Sequence, residues 1–216
     1  MRKLWLLLVC LIFLGGYSIV GSAAAESTVD TIFNHLLAQN TSFTVKLPKT
    51  EVKQIEQKFK QALDKDDYIR YIVGEYRVTT KTTKTSKTAS VTFKVTYLES
   101  RAETEYVKKQ VKTILANIIK PGMTVYEKEK VIHDYIVDNL TYDETLQEYT
   151  AYGALKKKRA VCQGYALLTY RMLTEAGIKS RIVEGIADGN NHAWNKVALE
   201  GAWYNLDTTW NDTVAA

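Results

Sequence analysis

Hydrophobic residues are arranged in one continuous run at the N-terminus and in periodic stripes along the rest of the chain. Arg2 and Lys3 precede an apolar run over residues 4–19, and the small residues Ala23–Ala25 follow it. Positive charge, an apolar core and a small-residue cleavage site are the three parts of a secretory signal peptide. We therefore predict a cleaved signal over residues 1–25, in preference to an uncleaved anchor. The protein is then secreted or bound at the cell surface, without a stable membrane span after cleavage.

Residues 26–99 combine helical and strand periodicity and are predicted to form a small α/β N-terminal region of unknown role. Apolar positions recur every three to four residues over residues 51–63, which predicts an amphipathic helix. Residues 43–47, 71–79 and 90–97 read as strands, and the last of them alternates cleanly between apolar and polar side chains. Its apolar stripe consists of Val91, Phe93, Val95 and Tyr97.

Residues 100–216 form a second predicted unit, in which helices come first and strands follow. Helical stripes cover residues 101–119, 125–140 and 163–176, and Gly177 ends the last helix. Strand patterns follow at residues 182–183, 192–199 and 202–206, with Gly201 in a tight turn between the last two. Helices followed by a block of strands are typical of an α+β fold.

Composition and charge narrow the range of partners. The 216-residue chain has 29 basic and 24 acidic residues, and without Arg2 and Lys3 its net charge falls from +5 to +3. This excess is too small to indicate a nucleic-acid-binding surface. One cysteine and three histidines beyond the predicted signal show no metal-ligand spacing, so we predict neither a metal nor a cofactor.

Cys162 is the only cysteine of the predicted exported part, because Cys10 lies within the signal. An unpaired cysteine in a secreted chain indicates a reactive thiol or an intermolecular disulfide. The predicted helix begins beside it, and a helix N-terminus favours the thiolate. A basic run over residues 156–159 would add positive charge, although such runs are more often solvated loops. The alternative is a small buried hydrophobe without chemistry.

A catalytic cysteine needs a base within hydrogen-bond reach and a group that orients the base. His192 begins a predicted strand, and Asp207 ends the next one, so antiparallel pairing can bring both to one end of a sheet. His35 and His133 lie in helical patterns and are interpreted as structural. Taken singly, His192 and Asp207 are equally well explained as a polar strand cap and a turn residue.

Several segments together resemble the bacterial transglutaminase-like superfamily. They are Cys162-Gln163-Gly164-Tyr165-Ala166, His192-Ala193-Trp194 and Trp203-Tyr204-Asn205-Leu206-Asp207-Thr208-Thr209-Trp210, with weaker likeness at residues 131–136 and 152–155. The resemblance covers residues 124–212. It implies a papain-like α+β core, in which a helix that carries the cysteine at its N-terminus packs on an antiparallel sheet. It implies a triad of Cys162, His192 and Asp207. Gln163 would contribute to an oxyanion site, and Tyr165 and Trp194 would shape the substrate groove.

The chain stops soon after Asp207, whereas cores of this superfamily are longer. This departure leads us to expect a transglutaminase-like domain over residues 100–216 that is truncated at its C-terminus. A chain end frays unless other contacts hold it in place. We therefore expect the position of Asp207 to be less rigid than in longer cores of the superfamily.

The resemblance implies acyl transfer from an amide through a thioester, with a protein or peptide as substrate, cell-wall peptides included. Water resolves the thioester in a peptidase or amidase, and an amine resolves it in a protein-glutamine transamidase. No acidic, amine-attracting pocket is evident in the sequence, which favours hydrolysis. A non-catalytic cell-wall or protein-binding module is the alternative from another class.

Overall fold

The computed structural model describes residues 26–211, so the predicted signal peptide lies outside the described residues. Within this range no helix is both long and apolar enough to cross a membrane. The N-terminal half contains α1 (Thr28–Leu37), β1 (Ser42–Pro48), a 3-10 helix (Lys49–Gln54), α2 (Ile55–Leu63), α3 (Asp67–Ile72), β2 (Val73–Lys81) and β3 (Thr88–Tyr97). The C-terminal half contains α4 (Arg101–Ile118), α5 (Val125–Asn139), β4 (Thr141–Tyr142), α6 (Ala151–Lys157), β5 (Arg159–Ala160), α7 (Cys162–Glu175), β6 (Ser180–Ala187), β7 (Asn190–Leu199) and β8 (Ala202–Leu206).

The first three strands form an antiparallel sheet in the order β1-β3-β2. Its central strand, β3, buries Val91, Phe93 and Val95 on one face, as the alternating pattern predicts. Phe43 of β1 is paired with Phe93, and their ring centroids are 4.9 Å apart. Phe59 of α2 lies 5.4 Å from the same ring, so the helix and the sheet share one aromatic core.

Two local structures in the N-terminal half differ from the predictions. The predicted helix over residues 51–63 is a 3-10 helix followed by α2, which begins at Ile55. No side chain caps the 3-10 segment, and uncapped helix ends commonly tighten in this way. Tyr71 was predicted to begin a strand but lies in α3, because Asp66 accepts a hydrogen bond from the Ile69 N–H (2.9 Å) and starts a helix there. The strand begins at Val73 instead.

Helices α4 and α5 begin where the sequence predicts, and each starts at a capping box. Ser100 and Glu103 exchange side-chain-to-backbone hydrogen bonds at α4, and Thr124 and Glu127 do the same at α5. Reciprocal bonds of this kind satisfy two of the free N–H groups of a helix start. The short helix α6 was not predicted, and Thr150 caps it by accepting a hydrogen bond from the Gly153 N–H (3.0 Å).

The last three strands form an antiparallel sheet in the order β6-β7-β8, and α7 packs against it. Both hairpins turn on two residues with positive φ, Asp188-Gly189 (48° and 77°) and Glu200-Gly201 (48° and 85°). Such turns match the twist of the flanking strands and fix their register. The α+β class is thereby confirmed, with a cysteine-bearing helix packed on an antiparallel sheet.

Candidate active site

Cys162 is the first residue of α7 and is half-buried. Val161 caps the helix with extended backbone and no side-chain hydrogen bond, so the positive end of the helix dipole is directed at the thiol. Gly164 in the first turn lets the preceding loop approach closely, because a Cβ there would lie 2.6 Å from that of Ala160. A bulkier residue at this position would displace the helix start that carries Cys162.

Three basic side chains of the run at residues 156–159, upstream of Cys162, contact groups other than the thiol. Lys157 forms an ion pair with Glu148, and the ammonium of Lys156 lies 5.1 Å from the ring centroid of Tyr106. Arg159 lies 3.7 Å from the Asp143 carboxylate. These three basic side chains therefore contact groups other than Cys162.

His192 and Asp207 are brought together by the pairing of β7 with β8. The Nε2 atom of His192 lies 2.7 Å from Oδ2 of Asp207, and the imidazole side chain is only 9% exposed. A carboxylate accepts hydrogen bonds, so this contact places the ring proton on Nε2. The second ring nitrogen, Nδ1, then has a free lone pair and is the atom that can act as a base.

Asp207 is held from its other side as well. Its Oδ1 atom accepts hydrogen bonds from the backbone N–H groups of Thr209 (3.1 Å) and Trp210 (3.2 Å). The hydroxyl of Thr208 lies 2.9 Å from that of Thr169 in α7, and both threonines are buried. The segment around the carboxylate is therefore anchored to the helix that carries Cys162, although the chain ends soon afterwards.

Two tryptophans flank the imidazole of His192. The Trp194 ring is stacked at 5.8 Å with an interplanar angle of 15°, and the Trp210 ring lies at 5.4 Å and 32°. The Trp194 indole N–H donates to Oδ1 of Asn205 (3.1 Å), which fixes its orientation. The two indoles limit rotation of the imidazole, so that its orientation does not depend on Asp207 alone.

Strand β7 is also fixed to α7 by a buried amide. The side-chain Nδ2 of Asn195 donates to the backbone oxygen of Ala166 (3.1 Å), and Asn195 is fully buried. Because Asn195 follows His192 on the same strand, this bond sets the position of the base relative to the cysteine-bearing helix.

Two clefts meet at Cys162 and His192. The first, which we call the acidic cleft, has a volume of about 400 Å³ and contains two carboxylates, Glu144 and Asp188. It is lined by Tyr142, Glu144, Cys162, Ala187, Asp188, Asn190, Asn191, His192, Thr209 and Trp210. The sequence gives no sign of this cleft, because Glu144 and Asp188 are far apart along the chain and line one cleft only in the fold.

The second cleft, which we call the apolar cleft after its exposed Leu146, Tyr149 and Ile186, has a volume of about 670 Å³ and also contains the Glu184 carboxylate. It is lined by Tyr142, Leu146, Tyr149, Val161, Cys162, Gln163, Glu184, Gly185, Ile186, Asn191, His192 and Ala193. Cys162 and His192 border both clefts, so an extended substrate can pass the thiol with one part in each of them.

The remaining predicted site residues occupy different environments. Gln163 lines the apolar cleft, and its side-chain Nε2 donates to the backbone oxygen of Tyr71 in α3 (3.1 Å). Tyr165 is fully buried in the core, which agrees with packing and not with contact to a substrate. Trp194 stacks on the imidazole of His192.

Sequence reasoning missed Trp210 and Tyr142 as site residues. Trp210 is the last residue of the segment 203–210 that contains Asp207, so its spacing from the aspartate was a usable signal. Tyr142 borders both clefts after a two-residue strand, too short to leave a periodic pattern. Burial raises the pKa of Tyr142, and negative charge on a Cys162 thiolate would raise it further.

The other histidines lie in structural settings, and the described residues contain no group of three potential ligands that could hold a metal ion. His35 stacks on Phe43 at 4.4 Å and bonds to the Asn40 side chain (2.8 Å). His133 lies 3.1 Å from the carboxylate of Asp134 on α5.

Comparison with known proteins finds a similar family and several similar proteins. Residues 112–208 match the profile of the transglutaminase-like superfamily. The chain is similar to the kyphoscoliosis peptidase of Mus musculus, with 28% identity over 131 residues that cover 52% of this chain and 20% of that protein. The Homo sapiens protein of the same name is 28% identical over 115 residues, which cover 45% of this chain and 17% of that protein. A crystal structure of a TGase aligns with a TM-score of 0.46 and 14% identity, covering 77% of this chain and 50% of that one. The chain thus spans about a fifth of the length of these curated relatives.

Proposed function

Because residues 112–208 match the model of the transglutaminase-like superfamily, we propose that this chain is a cysteine enzyme that attacks amide bonds of proteins or peptides. One observation carries the proposal: His192 is held by Asp207 through Nε2 at 2.7 Å and borders the same two clefts as Cys162. The shared clefts and the His192–Asp207 hydrogen bond support the roles of nucleophile for Cys162, base for His192 and orienting group for Asp207 in thiol acyl transfer.

The reaction begins when Nδ1 of His192 accepts the proton of the Cys162 thiol. The thiolate attacks the carbonyl carbon of the substrate amide and forms a tetrahedral intermediate, whose oxyanion lies near the first turn of α7. Free N–H groups there stabilise the negative charge. The Gln163 amide donates to Tyr71, so we assign the oxyanion contact to the helix backbone and not to this side chain.

Collapse of the intermediate breaks the carbon–nitrogen bond. His192 returns its proton to the leaving amine, and the acyl group stays on the sulfur as a thioester. In hydrolysis, His192 then accepts a proton from water, which attacks the thioester and releases the carboxylic acid. We favour this outcome because water is abundant and both clefts open at the thiol.

Transamidation is the second candidate, and the acidic cleft favours it. Glu144 and Asp188 place two carboxylates beside the thiol, and their charge attracts a protonated primary amine. An amine that binds there and loses its proton to His192 would attack the same thioester in place of water. The two outcomes share every step up to the acyl-enzyme.

A glutamine-bearing protein incubated with a labelled primary amine separates the candidates. Ammonia or new peptide termini without incorporated label indicate hydrolysis, and incorporated label indicates transamidation. Both require Cys162, so the Cys162→Ala variant abolishes either product. His192→Ala is expected to slow the reaction strongly, whereas the matched control His133→Ala retains it.

Absence of every product from the folded protein, together with thiol alkylation that His192→Ala leaves unchanged, would support a non-catalytic binding module instead. A disulfide-linked dimer on a non-reducing gel would assign Cys162 to intermolecular pairing. Export is part of the proposal and rests on the N-terminal sequence, and cell-wall peptides are among the substrates it would make accessible.

A further inference from the structure

We propose that the apolar cleft binds the acyl side of the substrate and selects a large aliphatic or aromatic side chain within two residues of the attacked amide. The inference deepens the proposed function and rests on it. It assigns Leu146, Tyr149 and Ile186 as the residues that determine this preference, none of which touches the reacting atoms.

Large hydrophobic side chains are exposed in this cleft. Leu146 is 54% exposed, Tyr149 43% and Ile186 68%, and all three line the same cavity beside Cys162. When a ligand covers exposed apolar surface, the free energy of binding becomes more favourable by about 25 cal/mol per Å². Clustered exposed hydrophobic residues beside a reactive group therefore indicate a binding surface.

The loop that carries Leu146 is built to hold it outward. The Asp143 carboxylate is 1% exposed and accepts hydrogen bonds from the hydroxyl of Thr145 (2.7 Å) and the backbone N–H groups of Gln147 (2.8 Å) and Glu148 (2.9 Å). These bonds fold residues 143–148 around one buried carboxylate. The side chain between them, Leu146, is consequently presented on a fixed backbone.

Leu146 also has an unfavourable backbone conformation. Its φ is 52°, in the left-handed region that favours glycine and asparagine over a branched apolar residue. A leucine that is both strained and exposed contributes little to packing of the folded chain. Strain of this kind is concentrated at ligand-binding sites, where the surrounding structure maintains it.

The acidic cleft decides which side of the substrate enters the apolar one. When His192 protonates the nitrogen of the tetrahedral intermediate, that nitrogen carries positive charge until the carbon–nitrogen bond breaks and a neutral amine departs. Glu144 and Asp188 stabilise that charge on their side of the thiol. The acyl part is then left to the apolar cleft, which Leu146 and Ile186 line.

Peptidyl chloromethyl ketones test this orientation without requiring turnover. The thiolate displaces chloride from the reagent, forming a carbon–sulfur bond, while the peptide occupies the acyl side. We compare reagents that carry Leu, Ala or Lys one or two residues before the reacting ketone. Each rate is divided by the rate with iodoacetamide, which reports thiol reactivity alone.

The leucine reagent is expected to react about 10- to 100-fold faster than the alanine and lysine reagents at one of the two positions, as pockets that discriminate by apolar contact do. Leu146→Ser and Ile186→Ser should each reduce this preference several-fold. Leu98→Ser is the matched control, because Leu98 is 49% exposed and lies outside both clefts, and it should retain the full preference.

Equal normalised rates for the leucine and lysine reagents at both positions would overturn the inference, as would an equal loss of preference in Leu98→Ser. Failure of the proposed function has a different signature. In that case iodoacetamide itself reacts slowly with Cys162, and His192→Ala leaves its rate unchanged.

Discussion

Replacing Asp207 by asparagine should disable the base by reversing its tautomer. The Oδ1 atom of Asp207 accepts two backbone N–H groups, from Thr209 and Trp210. Those donors need an acceptor, so the asparagine oxygen should occupy the same position and its NH₂ group should face His192. Nε2 must then accept a hydrogen bond, the ring proton moves to Nδ1, and the nitrogen that should deprotonate the thiol is no longer basic.

The size of the effect follows from the bond that is lost. A charge-assisted hydrogen bond such as that between His192 and Asp207 (2.7 Å) contributes about 1.5–3 kcal/mol. At about 1.4 kcal/mol per factor of ten, this corresponds to about 10- to 150-fold in rate. Locking the base in the wrong tautomer extends the loss toward about 10⁴-fold in serine protease triads. We therefore expect kcat/KM to fall by about 10²- to 10⁴-fold in Asp207→Asn.

Alanine at position 207 provides the informative comparison. It removes the acceptor of two N–H groups and should lower the free energy of unfolding, but it leaves the imidazole free to adopt either tautomer. At a temperature where both variants are folded, iodoacetamide should therefore alkylate Cys162 more slowly in Asp207→Asn than in Asp207→Ala. If Asp207→Asn reacts within twofold of the unsubstituted protein, His192 is not oriented by this carboxylate and the reasoning fails.

Further predictions concern stability. Thr208→Val should lower the free energy of unfolding in urea by about 1–3 kcal/mol, because it leaves the buried Thr169 hydroxyl without this partner. Adding Thr169→Val should recover most of that loss, and additive losses would argue against the pairing. The hydrogen bond from Thr145, together with those from Gln147 and Glu148, lowers the pKa of Asp143 to about 2. The ionised Asp143 carboxylate therefore stabilises the folded state fully above the ordinary pKa of 3.8, and this stabilisation is lost as pH falls toward 2. The difference in melting temperature between the unsubstituted protein and Asp143→Asn should shrink across that range. Burial raises the pKa of Glu99, so the folded state binds its proton more tightly and stability should decline as pH rises above the ordinary 4.5. Glu99→Gln should remove this slope in thermal melts, and parallel curves would contradict it.

Periodicity predicted the elements that place the nucleophile and the base. The start of α7 at Cys162, the register of β7 with β8 and the capped starts of α4 and α5 follow from local patterns of apolar residues, capping residues and turn glycines. These signals lie within a few residues of the element they define. For that reason they can be read from one sequence without knowledge of the tertiary structure.

The clefts could not be predicted in the same way. Glu144 comes from the loop before α6 and Asp188 from the hairpin between β6 and β7, and only the packing of α7 on the sheet makes them neighbours. The short helix α3 was missed because it has only six residues. Tyr68, Ile69 and Ile72 are buried and Arg70 alone is exposed, which is too few positions to mark helical periodicity.

The N-terminal half is joined to the candidate active site by buried polar groups, so residues 26–99 have a structural part in positioning Cys162. The carboxylate of Asp67, in α3, is 2% exposed and accepts hydrogen bonds from Arg181 Nε and the Ile182 N–H of β6, both at 2.8 Å. The Tyr71 carbonyl at the other end of α3 accepts the Gln163 amide, one residue after the thiol.

A second buried carboxylate makes the same connection further from the thiol. Glu99 accepts the Tyr68 hydroxyl (2.6 Å) and the Tyr152 N–H of α6 (2.8 Å), and it is fully buried. Removing either partner of such a group leaves a buried charge or donor unsatisfied. Residues from both halves of the chain therefore position the start of α7 and strand β6, which is paired with the His192 strand β7. The geometry at Cys162 thus depends on residues outside the segments that resemble the family.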